Sequence, residues 1–330
     1  MTERSPVGLV LGSAIPPEQL GPTARLGEEL GFGELWFAED CFFTGGISGA
    51  TAALAATERI PVGLGIVSAV TRHPALLAME VATLARMFPG RVLPGVGLGV
   101  PAWLDQMGLR PRSPLSALRE CVSSLRSLLA GEEVTDEGRQ FVFDRVSLAY
   151  VPDEPVPIYM GVVAEKGLRL AGAVADGLVL SVLASAEYVR WAIEQAALGA
   201  EEAGRPATRR RVAAFAMFSV DGDRARAKHA LRGPAAFYLA AGGRNGLTDA
   251  FGISDELEDM IARGGAETVE RELPDRWLDE LTVSGDPDEC AAGIRRLLDA
   301  GADSVVLFPL PSERSEEIVR TAAAEVLPRL

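Results

Sequence analysis

The chain has 330 residues, of which 48% are hydrophobic and 24% charged, which is typical of a globular protein with a large core. Its formal net charge of -14 disfavours binding to phosphate backbones and anionic membrane surfaces, so we expect neither nucleic acid nor a membrane as partner. The widely spaced Cys41, Cys121 and Cys290 form no CxxC pair, and with no secretory start they favour a cytoplasmic protein.

Short apolar segments alternate with amphipathic segments of helical length along the chain. This alternation predicts βα units around a parallel sheet that is buried on both faces. We count eight units, so the predicted fold class is α/β, a (β/α)8 TIM barrel in one domain over residues 1–330. In chain order the predicted strands are Val7–Leu11, Glu34–Ala38, Val62–Val67, Arg91–Val96, Val156–Met160, Gly177–Ser181, Arg211–Val220 and Ser304–Phe308.

A helix is predicted after each strand, and several begin with proline, which costs least in the first turn because its missing N–H has no intrahelical partner there. Two helices are predicted at the end of the chain. The first has Pro287 near its start, and the second ends at Leu327. The others are Pro16–Leu30, Ser48–Thr57, His73–Phe88, Pro114–Leu129, Ala164–Val174, Ala186–Ala203 and Arg224–Ala240.

Two segments interrupt the alternation and are predicted to be insertions. Residues 131–151, after the fourth helix, contain alternating stretches around Gly138 and suggest an excursion such as a β-hairpin. Residues 241–282, after the seventh helix, mix glycine with charged helical turns and are predicted to form a lid over the barrel mouth. The stretch around Trp103 is predicted to be a loop.

Polar residues that follow the strands are the first candidates for chemistry, because barrel enzymes place their active sites at the C-terminal ends of the strands. Glu39 and Asp40 follow the second strand. Such carboxylates can bind a ligand N–H, exchange a proton or cap the next helix, and the residue pattern leaves these roles open. Cys41 is interpreted as a small buried residue, since no nearby Lys or His would lower its pKa.

Glycines mark the ends of two strands. The stretch Gly95–Val100 is followed by Pro101 and Trp103 in a predicted loop, so it does not open a helix as a dinucleotide-binding fingerprint must. Its glycines are interpreted as places where a planar ligand or a neighbouring strand approaches the backbone. Met160 and Gly161 lead into a helix N-terminus, which suits either an anionic phosphate or a plain tight turn.

Four segments resemble the luciferase-like superfamily, most closely its flavin- and coenzyme F420-dependent oxidoreductases. GFGELWFAED at 31–40 resembles the second-strand motif, and 68–99, with an Arg-His-Pro helix start and a Gly-rich fourth strand, resembles the most specific stretch. PIYMGVVAEKGLRLAGAVADG at 157–177 resembles the phosphate-side segment, and 284–307 the usual ending. The resemblance covers most of the chain apart from the two insertions and implies the same barrel fold.

The resemblance also implies a cofactor site at the barrel mouth. In such proteins strand three ends in a bulge with a non-proline cis peptide that supports the back of the flavin ring. The matching bond here is Gly65-Ile66, with Ser68 beside the ring, and Glu39 matches the acid that meets the cofactor. The implied phosphate ligands are backbone and hydroxyl groups at Gly161, Val162, Val163, Ala164 and Ser181.

Three positions depart from the pattern of these relatives. Asp40 stands where many have a catalytic His, whereas Val100 and Thr44 stand where the sugar-phosphate-oxidising deazaflavin enzymes have Glu and Trp. The last two differences argue against a sugar-phosphate substrate. Asp40 is therefore the candidate for the catalytic acid or base. His73 is expected to tie down a helix start rather than to act in catalysis.

These observations lead to three functional hypotheses. The first is a coenzyme F420-dependent oxidoreductase that transfers hydride between reduced deazaflavin and an unsaturated or imine carbon of a small organic substrate. Asp40 would supply the proton, and the pocket would be lined by Phe42, Phe43, Trp103 and Phe237. The second is an FMN-dependent luciferase-like monooxygenase, and the third is a non-catalytic flavin-binding relative. By resemblance we also expect a homodimer, and with only two histidines we expect no metal site.

Overall fold

The computed structural model describes residues 4–206 and 210–330. Within these ranges the predicted strands recur with boundaries shifted by three residues or fewer, and three further short strands appear. In chain order they are β1 (Val7–Leu11), β2 (Leu35–Phe37), β3 (Val62–Ser68), β4 (Val92–Gly97), β5 (Val134–Glu137), β6 (Val142–Val146), β7 (Tyr159–Gly161), β8 (Gly177–Leu180), β9 (Arg211–Val220), β10 (Val283–Gly285) and β11 (Ser304–Pro309).

The helices begin largely where the sequence provides proline or a capping side chain. Proline occupies the first turn of α3, α4, α5 and α12, and a capping box between Asp286 and Glu289 starts α12. The helices are α1 (Leu20–Glu29), α2 (Gly46–Ala56), α3 (Pro74–Met87), α4 (Pro101–Gln106), α5 (Pro114–Leu129), α6 (Glu165–Val174), α7 (Ala186–Glu202), α8 (Arg224–Gly242), α9 (Gly246–Phe251), α10 (Ser254–Glu272), α11 (Asp275–Leu281), α12 (Pro287–Asp299) and α13 (Ser315–Thr321).

The parallel strands close into a barrel. Their order is β9-β11-β1-β2-β3-β4-β7-β8, and β8 pairs with β9 to complete the ring. The predicted (β/α)8 TIM barrel is therefore confirmed. The short strand β10 was not predicted, because it has only three residues, which pair with the end of β9 between α11 and α12.

A buried polar cluster closes the N-terminal end of the barrel. Glu34, just before β2, accepts hydrogen bonds from Trp36 Nε1 at 2.9 Å, Arg211 at 2.6 Å and Ser304 at 2.5 Å. Above it, Trp36 packs edge-on against Tyr159 and against a phenylalanine of β9 inside the barrel. Because this end is filled, a ligand can enter only at the C-terminal mouth.

The first predicted insertion is confirmed as a hairpin. Strands β5 and β6 pair antiparallel within residues 131–151, and the hairpin packs on the start of α3. His73 contacts the rings of Phe141 and Phe143, and its Nε2 lies 3.2 Å from the Val142 carbonyl oxygen. The hairpin therefore covers the outside of the barrel rather than the mouth.

The second insertion does not form the predicted lid. Helices α9, α10 and α11 occupy residues 241–282, and α10 and α11 pack against α8 through buried residues such as Leu257 and Trp277. None of the described residues in this segment lines the cavity at the mouth. The loop predicted around Trp103 is also wrong, since Pro101 starts the short helix α4 there. A helical turn is favoured because proline fixes the φ angle that the first helical residue needs.

Candidate functional site

A cavity of about 1130 Å³ opens at the C-terminal end of the barrel. It is lined by segments that follow most of the barrel strands. All but one of the site residues predicted from the sequence line it, namely Glu39, Asp40, Gly65, Ile66, Gly161, Val162, Val163, Ala164 and Ser181. These predicted residues come from four different strands, β2, β3, β7 and β8, and converge on one space, as in barrel active sites generally.

The floor of the cavity is formed by the end of β3. The Gly65-Ile66 peptide bond is cis, and the β3–β4 register shifts between Leu64 and Val67, as the resemblance implied. A methyl group added at Gly97 or Gly161 would lie 2.8 Å and 2.7 Å, respectively, from side-chain carbons of Ile66. Glycine is required at these positions because the Ile66 side chain fills the space between the two neighbouring strands.

Ser68 is the predicted site residue that lies outside the cavity lining. Its side chain is buried, and its hydroxyl donates a 2.6 Å hydrogen bond to the Leu98 carbonyl. This bond ties the end of β3 to the segment that follows β4. Ser68 therefore lies outside the cavity lining, and its place beside a bound ring stays a prediction.

Glu39 is held in a fixed orientation by two partners. Its Oε2 accepts hydrogen bonds of 2.8 Å from the Gly46 amide and 2.8 Å from Arg72. A Cβ at position 46 would collide with the same carboxylate, so glycine is needed there. Within the described residues Oε1 has no hydrogen-bond partner, which leaves it available to accept an N–H from a ligand.

Asp40 lies beside two polar residues that sequence reasoning missed. Ser13, which follows β1, donates a 2.5 Å hydrogen bond to Asp40 Oδ2. Tyr238, near the end of α8, also lines the cavity, where burial and then the charge of Asp40 raise the pKa of its phenol. Ser13 is a polar residue after a strand, which was an available signal, whereas Tyr238 carried no motif and reaches the site only through closure of the barrel.

The predicted apolar lining needs correction. Phe42, Phe43 and Phe237 are 68%, 61% and 63% exposed and do not line the cavity, whereas Trp103 and Tyr238 do. A backbone φ of 74° at Phe42 accompanies a turn of the chain immediately after Asp40. The aromatic residues after β2 therefore lie on the outer surface.

The start of α6 forms the opposite wall. Ala164 is its N-cap and provides no side-chain hydrogen bond, so the first amides of the helix are open to a ligand. Tyr188 donates a 3.1 Å hydrogen bond to the Val163 carbonyl and so fixes the preceding loop. Lys166 also lines the cavity and has no ion pair among the described residues. A lysine in the first turn of a helix interacts unfavourably with the helix dipole. This placement of Lys166 was therefore a signal in the sequence for a role at the site.

The predicted role of His73 at a helix start is confirmed, whereas the prediction that Cys41 is buried is wrong, since Cys41 is only partly buried. His73 Nδ1 accepts a hydrogen bond from the Ala75 amide at 3.2 Å and thereby caps α3. Burial, together with the nearby charges of Glu39 and Asp40, raises the pKa of the Cys41 thiol. A protonated thiol is a poor nucleophile, so the surroundings of Cys41 disfavour covalent chemistry at this residue.

Comparison with known proteins supports this architecture. Residues 3–304 match the family described as luciferase-like monooxygenase. The chain is 31% identical over 318 residues to 5,10-methylenetetrahydromethanopterin reductase of Methanolobus tindarius, covering 94% of this chain and 96% of that protein. It is 31% identical over 332 residues to F420-dependent glucose-6-phosphate dehydrogenase of Nakamurella multipartita, covering 95% and 93%.

A solved structure shows the same overall arrangement. The coenzyme F420 dependent tetrahydromethanopterin reductase from Methanopyrus kandleri superposes with a TM-score of 0.85 at 25% identity, covering 99% of both chains. The barrel fold and the cavity at its mouth are consistent with the family match over residues 3–304. The chain therefore belongs to the luciferase-like monooxygenase family.

Proposed function

We propose that this protein is a coenzyme F420-dependent oxidoreductase that transfers hydride between the reduced deazaflavin and an unsaturated or imine carbon of an organic substrate. One observation carries the proposal: a single cavity connects the floor at Ile66 with the open N-terminus of α6. A cofactor that carries a flat ring and a phosphate needs a floor for the ring and a helix N-terminus for the phosphate within one cavity. Of the three relatives described above, one is named an F420-dependent dehydrogenase and two are named reductases. The name of one of these two reductases also includes coenzyme F420.

The residues present fit this cofactor. Glu39 Oε1 is free to accept an N–H of the deazaflavin ring, and Ile66 supports the face of the ring. The α6 amides, Lys166 and the Ser181 hydroxyl can bind the phosphate. When bound, F420 supplies the hydride chemistry, and the protein contributes position, shielding and proton transfer.

Proton transfer is assigned to Asp40. Its carboxyl group lines the cavity, and the hydrogen bond from Ser13 holds one oxygen, while Oδ1 has no partner among the described residues. A carboxylic acid held in this way can deliver a proton to the substrate atom next to the carbon that receives hydride. Trp103 and Val100 form part of the cavity wall and help to exclude water.

A second candidate is an FMN-dependent monooxygenase, which the description of the matching family favours. The same floor and helix N-terminus would hold FMN and its phosphate. A carbon in place of a ring nitrogen keeps a reduced deazaflavin from reacting readily with oxygen, so oxygen consumption separates the two chemistries. A third candidate, a non-catalytic flavin-binding relative, is motivated by the absence of His at position 40 and of Glu at position 100.

The test is a titration of the purified protein with F420 and with FMN, each oxidised and reduced, followed by oxygen-uptake measurements. Micromolar or tighter binding of F420 with weak FMN binding, and no oxygen uptake, is the expected result. Preferential binding of FMN with oxygen uptake would transfer the assignment to the monooxygenase. Binding without turnover of any unsaturated acceptor would support the non-catalytic alternative.

A homodimer and a cytoplasmic location are also part of the proposal. Several large apolar side chains are exposed together on α3 and the adjoining hairpin, and such patches commonly mark protein interfaces. They are Leu76, Met79, Met87, Val142 and Tyr150. The three cysteines are all unpaired, which suits a reducing compartment. No helix among the described residues is long and apolar enough to cross a membrane.

A further inference from the structure

The cavity continues beyond the mouth into a groove on the outside of the barrel. We call this the side groove; it lies between the segment from Gln19 to Glu29 and the segment from Ser312 to Arg320. Helices α1 and α13 both begin at the mouth and run down the outer wall. Residues from both helices line the same continuous space, from Thr23 and Ser315 near their starts to Glu29 and Arg320 near their ends.

The side groove lies across the barrel from the proposed phosphate site. In the closed strand order β1 is four places from β7 in either direction, and the groove opens next to β1 and β11. The tail of F420 is attached beyond its phosphate, so a phosphate held by the start of α6 would place the attachment point of that tail on the side of the mouth opposite β1. With the cofactor in this position, the side groove would remain free for another ligand.

The passage from the mouth to the side groove runs past the proposed proton donor. Gly12, Ser13 and Ala14 line the cavity directly after β1, and Ser13 holds Asp40. A Cβ at Gly12 would lie 3.2 Å from the ring of Phe308, so a larger residue at position 12 would press on this ring beside the passage. A substrate that reacts beside Asp40 can thus extend a tail past Gly12 into the groove.

The lining of the side groove indicates what kind of tail fits. Hydroxyl groups of Thr23, Ser312 and Ser315 lie along it. Arg320 is paired with Glu316 at 2.8 Å, whereas neither Arg25 nor Glu29 has an ion pair among the described residues. The groove between Thr23 and Glu29 is roughly 9 Å long at 1.5 Å per helical residue. A tail that carries hydroxyl groups and places one anionic group at Arg25, away from Glu29, matches this surface.

We propose that the side groove binds the polar, anionic tail of an elongated substrate whose reactive end lies beside Asp40. This inference rests on the proposed function and specifies its substrate class. A compact substrate such as a simple ketone would leave the groove empty and gain nothing from it. Selectivity for elongated substrates would then come from Arg25 and the hydroxyl-lined wall rather than from the floor of the barrel.

The test uses two matched tryptophan variants in the short helical turn before α13. Ser312 and Glu313 are adjacent and exposed, but only Ser312 lines the cavity. Binding is measured by calorimetry on the F420-saturated protein, with 5,10-methylenetetrahydromethanopterin and 5,10-methylenetetrahydrofolate as long-tailed probes and cyclohexenone as the compact probe. F420 affinity is measured separately for every variant by titration.

We expect Ser312→Trp to weaken binding of a long-tailed probe about tenfold or more, while Glu313→Trp stays within about twofold. Arg25→Gln should weaken it about tenfold, since a hydrogen bond to a charged group is lost, and Arg25→Lys should recover part of that loss. F420 affinity should be unchanged in all of these variants, because the cofactor lies on the other side of the mouth.

Three results would overturn the inference while leaving the proposed function intact: F420 binds but no long-tailed probe does, Ser312→Trp has no effect on a bound probe, or Ser312→Trp weakens F420 itself. The last result would assign the side groove to the cofactor tail. Failure of the unaltered protein to bind F420 would instead overturn the proposed function and this inference with it.

Discussion

The Ser13 hydroxyl donates a 2.5 Å hydrogen bond to Oδ2 of Asp40, so the loops after β1 and β2 share one polar contact at the barrel mouth. Asp40→Asn preserves the shape of this contact but removes the titratable proton. We expect kcat to fall by about 100-fold, the contribution typical of a general acid, with F420 affinity unchanged. Steady-state kinetics across pH check this, and the limb of the wild-type profile that reports the acid should disappear. An unaltered rate would assign proton delivery to another group.

Ser13 is expected to be a positioning residue for Asp40. Ser13→Ala removes the hydrogen bond and frees the carboxyl group to rotate, which should lower kcat about tenfold with little change in KM. Ser13→Thr retains a hydroxyl group and should restore most of the rate. Equal losses in both variants would indicate a packing effect rather than a hydrogen bond.

Lys166 is expected to contribute to cofactor affinity through the phosphate. Lys166→Gln should raise the Kd for F420 about tenfold, because one charge-assisted hydrogen bond is lost. The loss should shrink at high salt, since the partly exposed pair is screened. Fluorescence titration at two salt concentrations measures both effects. Glu165→Gln, one residue earlier in the same helical turn, serves as control and should not weaken binding.

The pair Glu34 and Arg211 should matter for stability rather than for activity. Arg211→Met leaves the buried Glu34 carboxylate without its cation, which costs about 3 kcal/mol in the free energy of unfolding. Adding Glu34→Gln should return part of that loss, because the uncompensated charge is gone. Urea denaturation measures these differences. Arg224→Met, which removes an exposed ion pair, should cost less than about 1 kcal/mol.

Asp221 should make stability sensitive to acid. Hydrogen bonds from Arg226 and from the Asp223 amide hold the pKa of this carboxyl well below its ordinary value. A folded-state pKa below the unfolded value adds stability above about pH 4, and that stability is lost as the pH falls further. Asp221→Asn should therefore have a lower Tm at pH 7, and the difference should narrow in acid. A pH-independent difference would show that charge is not the cause.

The exposed face of α3 should determine the oligomeric state. Met79→Asp places a charge in the middle of the apolar surface formed with the adjoining hairpin, and a buried unpaired charge is costly in an interface. Sedimentation velocity should show a dimer for the unaltered protein and a monomer for the variant. Glu133→Lys, an exposed change just before β5, controls for altered charge. A monomeric unaltered protein would contradict the proposed dimer.

Sequence alone was sufficient to predict the barrel and much of the floor of the cavity. Eight alternating βα units were predicted because burial on both faces of a parallel sheet makes each strand an apolar run, a local signal. The cis bond at Gly65-Ile66 and the segment Gly161–Ala164 were predicted because motifs of adjacent residues match the family. Each of these features depends on residues that are close together in the chain.

Tertiary structure decided the contacts between distant segments. The Ser13–Asp40 hydrogen bond joins residues 27 positions apart, and Tyr238 reaches the mouth from the end of α8. The same closure leaves Phe42 at the surface, keeps Ser68 out of the cavity lining and opens the side groove between the first and last helices. Which side chain faces a shared space depends on the relative placement of separate βα units, and periodicity along one segment carries no information about that placement.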